Sequence, residues 1–274
     1  MAQTQLAAAG VPNPAVDAEL LYRYLFALDK MDFFREWSQS LDDENCERYL
    51  NLVAVRAGGK PLQYITGEQE FMGHSFRVDE RVLIPRPETE LLTEKVIEVA
   101  ESIRRPHVLD LCTGSGCIAV SVALAVKAAA VTASDISSDA LDLAEENAEN
   151  LGADVSFVSG DLLAPFTKGI FKKTFDIIVT NPPYIPSAVI PTLGVEVREH
   201  EPVLALDGGA DGLDFYRRII KDAGRCLKKG GILLMEIGSE QADAIRALAA
   251  ENGYVSCGIA KDYAGLDRIA ALKP

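Results

Sequence analysis

From residue 107 onward the chain alternates short apolar runs with amphipathic stretches, and this leaves few folds open. His107-Val-Leu-Asp-Leu, Ala130-Val-Thr-Ala-Ser-Asp135, Val155-Ser-Phe-Val-Ser, Phe175-Asp-Ile-Ile-Val-Thr and Gly231-Ile-Leu-Leu-Met-Glu-Ile read as strands. Residues 117–127, 139–151, 214–227 and 239–252 carry helical spacing. Strands separated by helices join in parallel, so the pattern predicts a parallel sheet covered by helices on both faces. Two last strands, near 255–260 and 268–272, follow one another without a helix. They predict a hairpin and hence one antiparallel strand.

The first 60 residues differ. Ala18, Leu21, Leu25 and Leu28, and later Leu50, Val53 and Val55, recur at helical spacing. Breakers at Pro12–Pro14, Asp42–Asp43 and Gly58-Gly-Lys-Pro61 cut this part into short helices. Residues 62–84, with Tyr64-Ile-Thr-Gly67 and Phe71-Met-Gly-His-Ser-Phe-Arg-Val78, mix aromatics, β-branched residues and glycines, which reads as a β-hairpin connector. Pro85-Arg-Pro-Glu-Thr-Glu90 then opens a helix, with Pro87 suited to its first turn and Glu88 and Glu90 to its positive end. The expected division is a helical domain at 1–61, a hairpin linker at 62–84 and an α/β domain at 85–274.

Charge narrows the function. Among 274 residues, 27 Lys and Arg face 41 Asp and Glu, a net charge of −14. Such a chain lacks the broad positive field that gathers nucleic acid or anionic membranes. No run approaches the roughly 18 apolar residues of a membrane helix; the run Cys117–Val126 stops at Lys127. The N-terminus has neither a basic region nor a long apolar run, so no signal peptide is expected. Five scattered cysteines without a CxxC, and three isolated histidines, fit a reduced, cytoplasmic chain without a metal site. The cysteines read as core residues.

Asp110-Leu-Cys-Thr-Gly-Ser-Gly116 sits where the first strand of the alternating region meets a helix, the junction at which doubly wound sheets bind ligands. The dinucleotide pattern fails, because position 119 is Ala and position 112 is Cys; no Gly-Lys-Ser/Thr follows for a phosphate loop. A tight turn without a ligand remains open. Asp135 ends the next strand, 19 residues past Gly116, where an acid can accept both ribose hydroxyls or cap the following helix. Asp161 follows the third strand, where a carboxylate can take a base amino group while Leu162 packs on the ring; Gly-Asp is also a common turn. Loop, acid and acid at three successive strand ends suit adenosine without a pyrophosphate, and S-adenosylmethionine is such a ligand.

Thr180-Asn-Pro-Pro-Tyr-Ile-Pro186 follows the fourth strand. Its prolines remove backbone donors and stiffen the loop. The Asn181 side-chain oxygen and the Pro182 carbonyl can accept the two hydrogens of a planar NH2, with Tyr184 as a wall. Holding a delocalised nitrogen in line with a sulfonium methyl is what alkylating it requires. A proline-rich turn with a surface tyrosine is the alternative.

These residues resemble the amino-methyltransferases that share Asn-Pro-Pro-Tyr, and more narrowly the release factor glutamine methyltransferase (PrmC/HemK) family. The resemblance covers nearly the whole chain. It is carried by Pro61-Leu-Gln-Tyr-Ile-Thr-Gly67, Phe71-Met-Gly-His-Ser-Phe76, Val82-Leu-Ile-Pro-Arg-Pro-Glu-Thr-Glu90, Asp110–Gly116, Asn181–Tyr184, Glu201-Pro202, Gly208-Gly-Ala-Asp-Gly-Leu-Asp-Phe-Tyr216 and Asp262-Tyr-Ala-Gly-Leu-Asp-Arg268. It implies an α/β fold with a Rossmann-like class I methyltransferase sheet, mostly parallel with one antiparallel strand. A small N-terminal helical domain that binds release factors and a β-hairpin connector complete it. The implied reaction is methyl transfer from S-adenosylmethionine to the side-chain amide of the glutamine in the Gly-Gly-Gln loop of bacterial class 1 peptide-chain release factors, in support of translation termination. On this resemblance Thr113, Gly114, Ser115, Gly116, Asp135, Asp161, Leu162 and Asn181 hold the cofactor. Asn181, Pro182, Pro183 and Tyr184 hold the glutamine, with Asn181, Pro182 and Tyr184 catalytic. Arg86 and Glu88 line the cofactor mouth. Leu162 replaces a frequent aromatic, and His200 stands before Glu201-Pro202 where tyrosine is usual.

His200 is open to two readings, a general base or a surface residue. The run Glu145-Glu146-Asn147 reads as a solvated helix face. The implied protein is a cytoplasmic monomer that touches neither nucleic acid nor membrane. A DNA adenine methyltransferase with the same clamp, and a non-catalytic cofactor sensor, are the competing readings.

Overall fold

The structure, a computed structural model, describes residues 1–36, 41–167 and 174–274, without the side chain of Glu36. Residues 37–40 of the expected helical domain lie outside the described residues. The chain forms two compact units, Met1–Glu68 with Gly194–His200, and Gln69–Leu193 with Glu201–Pro274.

The first unit contains helices α1 (Ala2–Ala8), α2 (Pro14–Phe26), α3 (Lys30–Glu36), α4 (Asp43–Ala57) and α5 (Leu62–Thr66). Asn13 precedes Pro14 at the start of α2, and Asp42 caps α4 by accepting from the Asn45 N–H at 2.8 Å. The helical period through Leu28 breaks early. Ala27 takes a left-handed conformation (φ 50°), and the Leu28 N–H closes on the Arg23 carbonyl. Leu6, Val11, Leu21, Val53 and Leu62 form the core. Residues 62–66, expected in a hairpin connector, are helical instead. Gly67 (φ 78°) ends the turn, and burial of Leu62 and Tyr64 outweighs the strand preference of Tyr64 and Ile65.

Beside this core lies a buried cation. Arg56, 4% exposed, donates from Nε to Asp17 at 2.7 Å, from Nη2 to Glu196 at 2.5 Å and from Nη1 to the Lys60 carbonyl at 3.1 Å. Glu196 lies on the short helix Val195–His200, which packs into this unit although its sequence follows the Asn-Pro-Pro-Tyr loop.

A hairpin, β1 (Glu68–Phe71) and β2 (His74–Arg77), which apart from Glu68 belongs to the second unit, leads into α6 (Pro87–Glu101). There follow β3 (His107–Leu111), α7 (Cys117–Ala125), β4 (Ala130–Asp135), α8 (Ser138–Leu151), β5 (Val155–Ser159) and β6 (Phe175–Thr180). After the helix Val195–His200, counted as α9, come α10 (Asp214–Cys226), β7 (Leu227–Glu236), α11 (Ala242–Glu251), β8 (Ser256–Lys261) and β9 (Asp267–Lys273). The sheet order is β5-β4-β3-β6-β7-β9-β8. The first five strands pair in parallel, and β9 runs antiparallel to both neighbours, as the final helix-free strand pair predicts.

Period-two alternation sorts the strand residues onto two cores. Val108, Ile177, Val179, Ile232 and Leu234 face α6 and α7, together with Phe71 and Phe76 of the hairpin. Leu109, Ile178, Leu233 and Met235 face α10 and α11. Strand order reverses direction at β3, with β4 on one side and β6 on the other, which leaves a crevice beyond the carboxyl ends of these strands.

Arg56→Ala leaves Asp17 buried without its cation and is expected to cost the first unit about 3–5 kcal/mol. Amide hydrogen exchange in α2 and α4 should accelerate accordingly. Arg56→Met combined with Asp17→Leu, which removes both charges, should recover most of the loss.

Candidate active site

The loop after β3 is held by a carboxylate that water does not reach. Asp110 is fully buried; its Oδ2 accepts from Thr113 Oγ1 at 2.6 Å and from the Ala119 N–H at 3.2 Å. One side chain thus ties the strand end to the loop and to the first turn of α7. Its Oδ1 has no partner among the described residues. Burial pushes the Asp110 carboxyl up to about 7 against the pull of those two hydrogen bonds. Gly116 ends the loop with φ 79°, a left-handed conformation that favours glycine, and a Cβ there would stand a tight 3.0 Å from the Ala144 Cβ on α8.

Asp135, at the end of β4, accepts from the Gly114 N–H through Oδ2 and from the Ser137 N–H through Oδ1, each at 3.0 Å. It is not the cap of α8. Ser137 fills that position, its Oγ accepting from the Ala140 N–H at 3.2 Å. Asn147 corrects the solvated reading of Glu145-Glu146-Asn147. Glu145 is exposed, but Asn147 is buried and donates to the Ser115 and Arg77 carbonyls at 2.9 and 3.0 Å. Its Oδ1 accepts from the Arg77 N–H, joining hairpin and loop.

Above these loops lies a cavity of about 150 Å³, well beyond the ~10–15 Å³ that one water occupies. Val82, Leu83, Ile118 and Phe215 supply apolar walls; Arg86, Thr89, Asp135 and Asn181 supply polar ones. Of the residues singled out in the sequence, Thr113, Gly114, Ser115, Asp135, Asn181, Pro183 and Arg86 line it. Gly116, Pro182 and Tyr184 belong to the same loops but are not among its lining residues. Asp161 and Leu162 line a separate, smaller pocket: Asp161 pairs with Arg218 at 2.5 Å, and Leu162 is buried in the α10–α11 core. Glu88 is exposed outside the cavity, and His200 ends the α9 helix of the first unit.

Arg86 is aimed by Glu201, whose nearly inaccessible carboxylate takes its Nη2 at 2.5 Å and the Ile84 N–H at 3.3 Å. This gives the Glu201-Pro202 segment a structural task. The Asn-Pro-Pro-Tyr loop is braced from behind. The Gln241 Nε2 donates to the Tyr184 and Gly212 carbonyls at 3.1 and 3.2 Å. At Gly212 (φ 75°) any Cβ would collide with the Tyr184 carbonyl.

Behind Asn181 lies a polar chain that sequence reasoning missed. Asn181 Nδ2 donates to Thr89 Oγ1 at 3.2 Å, and Thr89 Oγ1 donates to Glu236 Oε2 at 2.7 Å. The Tyr184 hydroxyl faces Glu236 Oε1 at 3.5 Å, and the buried Tyr216 hydroxyl donates to the Glu236 carbonyl at 2.8 Å. Burial raises the Glu236 carboxyl from its ordinary value, while the Thr89 hydrogen bond works to lower it. Burial, reinforced by Glu236, pushes the Tyr184 phenol up to about 12. A signal was present: Glu236 interrupts the apolar run Ile232-Leu-Leu-Met-Glu-Ile237, where an acid has no packing reason to be.

Comparisons with known proteins agree in both halves of the chain. The PrmC N-terminal domain family matches residues 1–67, and the methyltransferase small domain family matches residues 87–192. A release factor glutamine methyltransferase of Moorella thermoacetica is 43% identical over 267 residues, covering 96% of this chain and 93% of the relative. One of Geobacter sulfurreducens is 42% identical over 267 residues, covering 96% and 91%. Among solved structures, a methyltransferase from Pyrococcus furiosus matches with a TM-score of 0.54 at 19% identity, covering 84% of this chain and 98% of that one. The hMettl16 catalytic domain in complex with a MAT2A 3'UTR hairpin matches with a TM-score of 0.59 at 16% identity, covering 92% and 90%. These two likenesses show a shared fold.

The raised carboxyl of Asp110 has a measurable sign. The folded chain holds this proton more tightly than the unfolded one, from 3.8 up to about 7. Its contribution to stability is therefore full below about pH 4 and is lost as pH rises towards about 7. Asp110→Asn removes that titration. Urea midpoints at pH 5 and pH 8 should show wild type losing stability relative to the variant across the interval; a gap independent of pH would contradict the burial argument.

Proposed function

The chain belongs to the release factor glutamine methyltransferase family, and on that footing we propose that it methylates the side-chain amide nitrogen of the glutamine in the Gly-Gly-Gln loop of class 1 release factors, using S-adenosylmethionine. The observation that carries the reading is that Asn181 and the loop-binding Asp135 are walls of one cavity. The donor set fits the cofactor. Asp135 keeps lone pairs for ribose hydroxyls beyond its two backbone bonds, the Thr113–Ser115 backbone suits a polar amino-acid end, and Ile118, Ile136 and Phe215 offer apolar surface. S-adenosylmethionine supplies a methyl on a positively charged sulfur, so the leaving group departs without a metal.

Thr113, Gly114, Ser115 and Gly116 form the cofactor loop in this reading. Asp161 and Leu162 take the adenine edge once Asp161 leaves Arg218. That pair is exposed on both sides, and such pairs contribute at most about 1 kcal/mol. The Asn181 Oδ1 and the Pro182 carbonyl accept the two hydrogens of the glutamine NH2 and hold its nitrogen in line; Pro183 and Tyr184 wall the planar amide. Arg86, held by Glu201, lines the mouth. Residues 1–61 bind the release factor, and residues 62–84 join them to the catalytic domain at 85–274. Met31 and Phe34 stand exposed in the first unit, as a docking face requires. The enzyme acts as a cytoplasmic monomer in support of translation termination. Among the described residues no helix is long and apolar enough to cross a membrane. The net charge of −14 disfavours DNA as acceptor, because a DNA enzyme must neutralise phosphates and flip a base.

The test is transfer of labelled methyl to purified release factors. Label should enter a factor with the native Gly-Gly-Gln loop and be absent from its Gly-Gly-Ala version and from DNA; retention on the Ala version would reject a glutamine acceptor. Asn181→Ala should lower kcat by about 100-fold, the cost of a misplaced reactant, while cofactor Kd stays within about threefold. Equal loss in both would contradict the assigned role of Asn181.

A further inference from the structure

We propose that Thr89 and Glu236 are positioning residues that set which end of the Asn181 carboxamide faces the acceptor nitrogen. The inference rests on the glutamine methyltransferase reading for its chemistry and on hydrogen-bond direction for its geometry. The oxygen and NH2 ends of a carboxamide have almost the same shape, so packing alone does not select between them. The clamp works only one way round. With Oδ1 towards the cavity, Asn181 accepts from the acceptor's NH2; turned over, it would confront one donor with another.

Proton count makes the choice. Thr89 has a single hydroxyl proton. Its Oγ1 lies 2.7 Å from Glu236 Oε2, and while Glu236 is ionised that oxygen only accepts, so the proton is committed there. Towards Asn181, at 3.2 Å, Thr89 then offers only lone pairs, and Asn181 must answer with Nδ2–H. Oδ1 is thereby left for the cavity. The reversed amide would set two acceptor oxygens against each other with no proton between them.

Solvent does not relax the constraint, since Thr89 is 3% and Glu236 2% exposed. The three residues come from three elements. Thr89 lies in the first turn of α6, Glu236 ends β7, and Asn181 follows β6, the neighbour of β7 in the sheet. A carboxylate directly after the apolar run Ile232–Met235 is a costly way to fill space. Selecting an amide orientation is a task that an apolar side chain at position 236 would not perform.

The experiment compares Thr89→Val, which keeps shape and loses the hydroxyl, with Thr89→Ser, which keeps the hydroxyl. Thr89→Val should lower kcat on a release factor by about tenfold or more, with KM and cofactor Kd within about twofold. Thr89→Ser should return to within about threefold of wild type. A second readout needs no turnover. In 15N-labelled protein, the Asn181 side-chain NH2 signal, identified by its absence in Asn181→Ala, should show one proton protected from exchange in wild type and Thr89→Ser and not in Thr89→Val. An unchanged kcat in Thr89→Val, a Thr89→Ser variant as impaired as Thr89→Val, or protection that survives in Thr89→Val would each overturn the proposal. Absence of transfer by wild type would count against the glutamine reading, and the exchange pattern would still decide the orientation.

Discussion

Two acidic side chains at the carboxyl ends of central strands are sealed from water, and each accepts a hydrogen bond from a threonine hydroxyl. Asp110 on β3 takes Thr113, and Glu236 on β7 takes Thr89. Burying an acid costs several kcal/mol unless its lone pairs are met, so each of these side chains dictates the conformation of the segment that must satisfy it. Asp110 thereby shapes the glycine loop, and Glu236 reaches Asn181 through Thr89. The two strands flank β6, whose carboxyl end carries the Asn-Pro-Pro-Tyr segment. Both burials reach the cavity, since their partners Thr113 and Thr89, and Asn181 beyond Thr89, are among its walls.

The run Arg86-Pro-Glu-Thr-Glu90 shows how densely such constraints are laid on one helix start. Arg86 is aimed by Glu201, Thr89 joins Glu236 to Asn181, and Glu90 accepts from the Met72 N–H of the hairpin at 2.6 Å. Pro87 begins α6 where no backbone donor is missed. Glu88, between them, is exposed and outside the cavity. A single turn of helix therefore organises the hairpin, the cavity mouth and the Asn181 amide at once.

What could be read in advance follows the range of the interaction. Strand and helix alternation depends on neighbours a few residues apart, so the parallel order and the antiparallel β9 were legible. Helix α5 was not, because burial of Leu62 and Tyr64 decided it. Asn147 was misread for a related reason: its acidic neighbours suggest solvent, whereas its partners Arg77 and Ser115 lie 70 and 32 residues away. Glu236 and Thr89 are 147 residues apart, so nothing local announces their bond. Asp161 illustrates the opposite limit, since a strand-end acid is visible in the sequence while its exposed pairing with Arg218 is not.

On the proposed reaction the geometry also bears on how the proton leaves. An amide nitrogen is a weak nucleophile until it is held, and after alkylation its proton becomes acidic, so the demanding step is alignment rather than deprotonation. The groups behind Asn181 agree with that division. The Tyr184 phenol, pushed up to about 12, is no base at neutral pH. Glu236 spends Oε2 on Thr89 and turns Oε1 towards Tyr184, leaving neither oxygen towards the cavity. His200 belongs to the first unit and is absent from the cavity lining. Catalysis on this reading is therefore positional. On it the polar groups beside Asn181 orient an acceptor, and none of them is placed to take its proton.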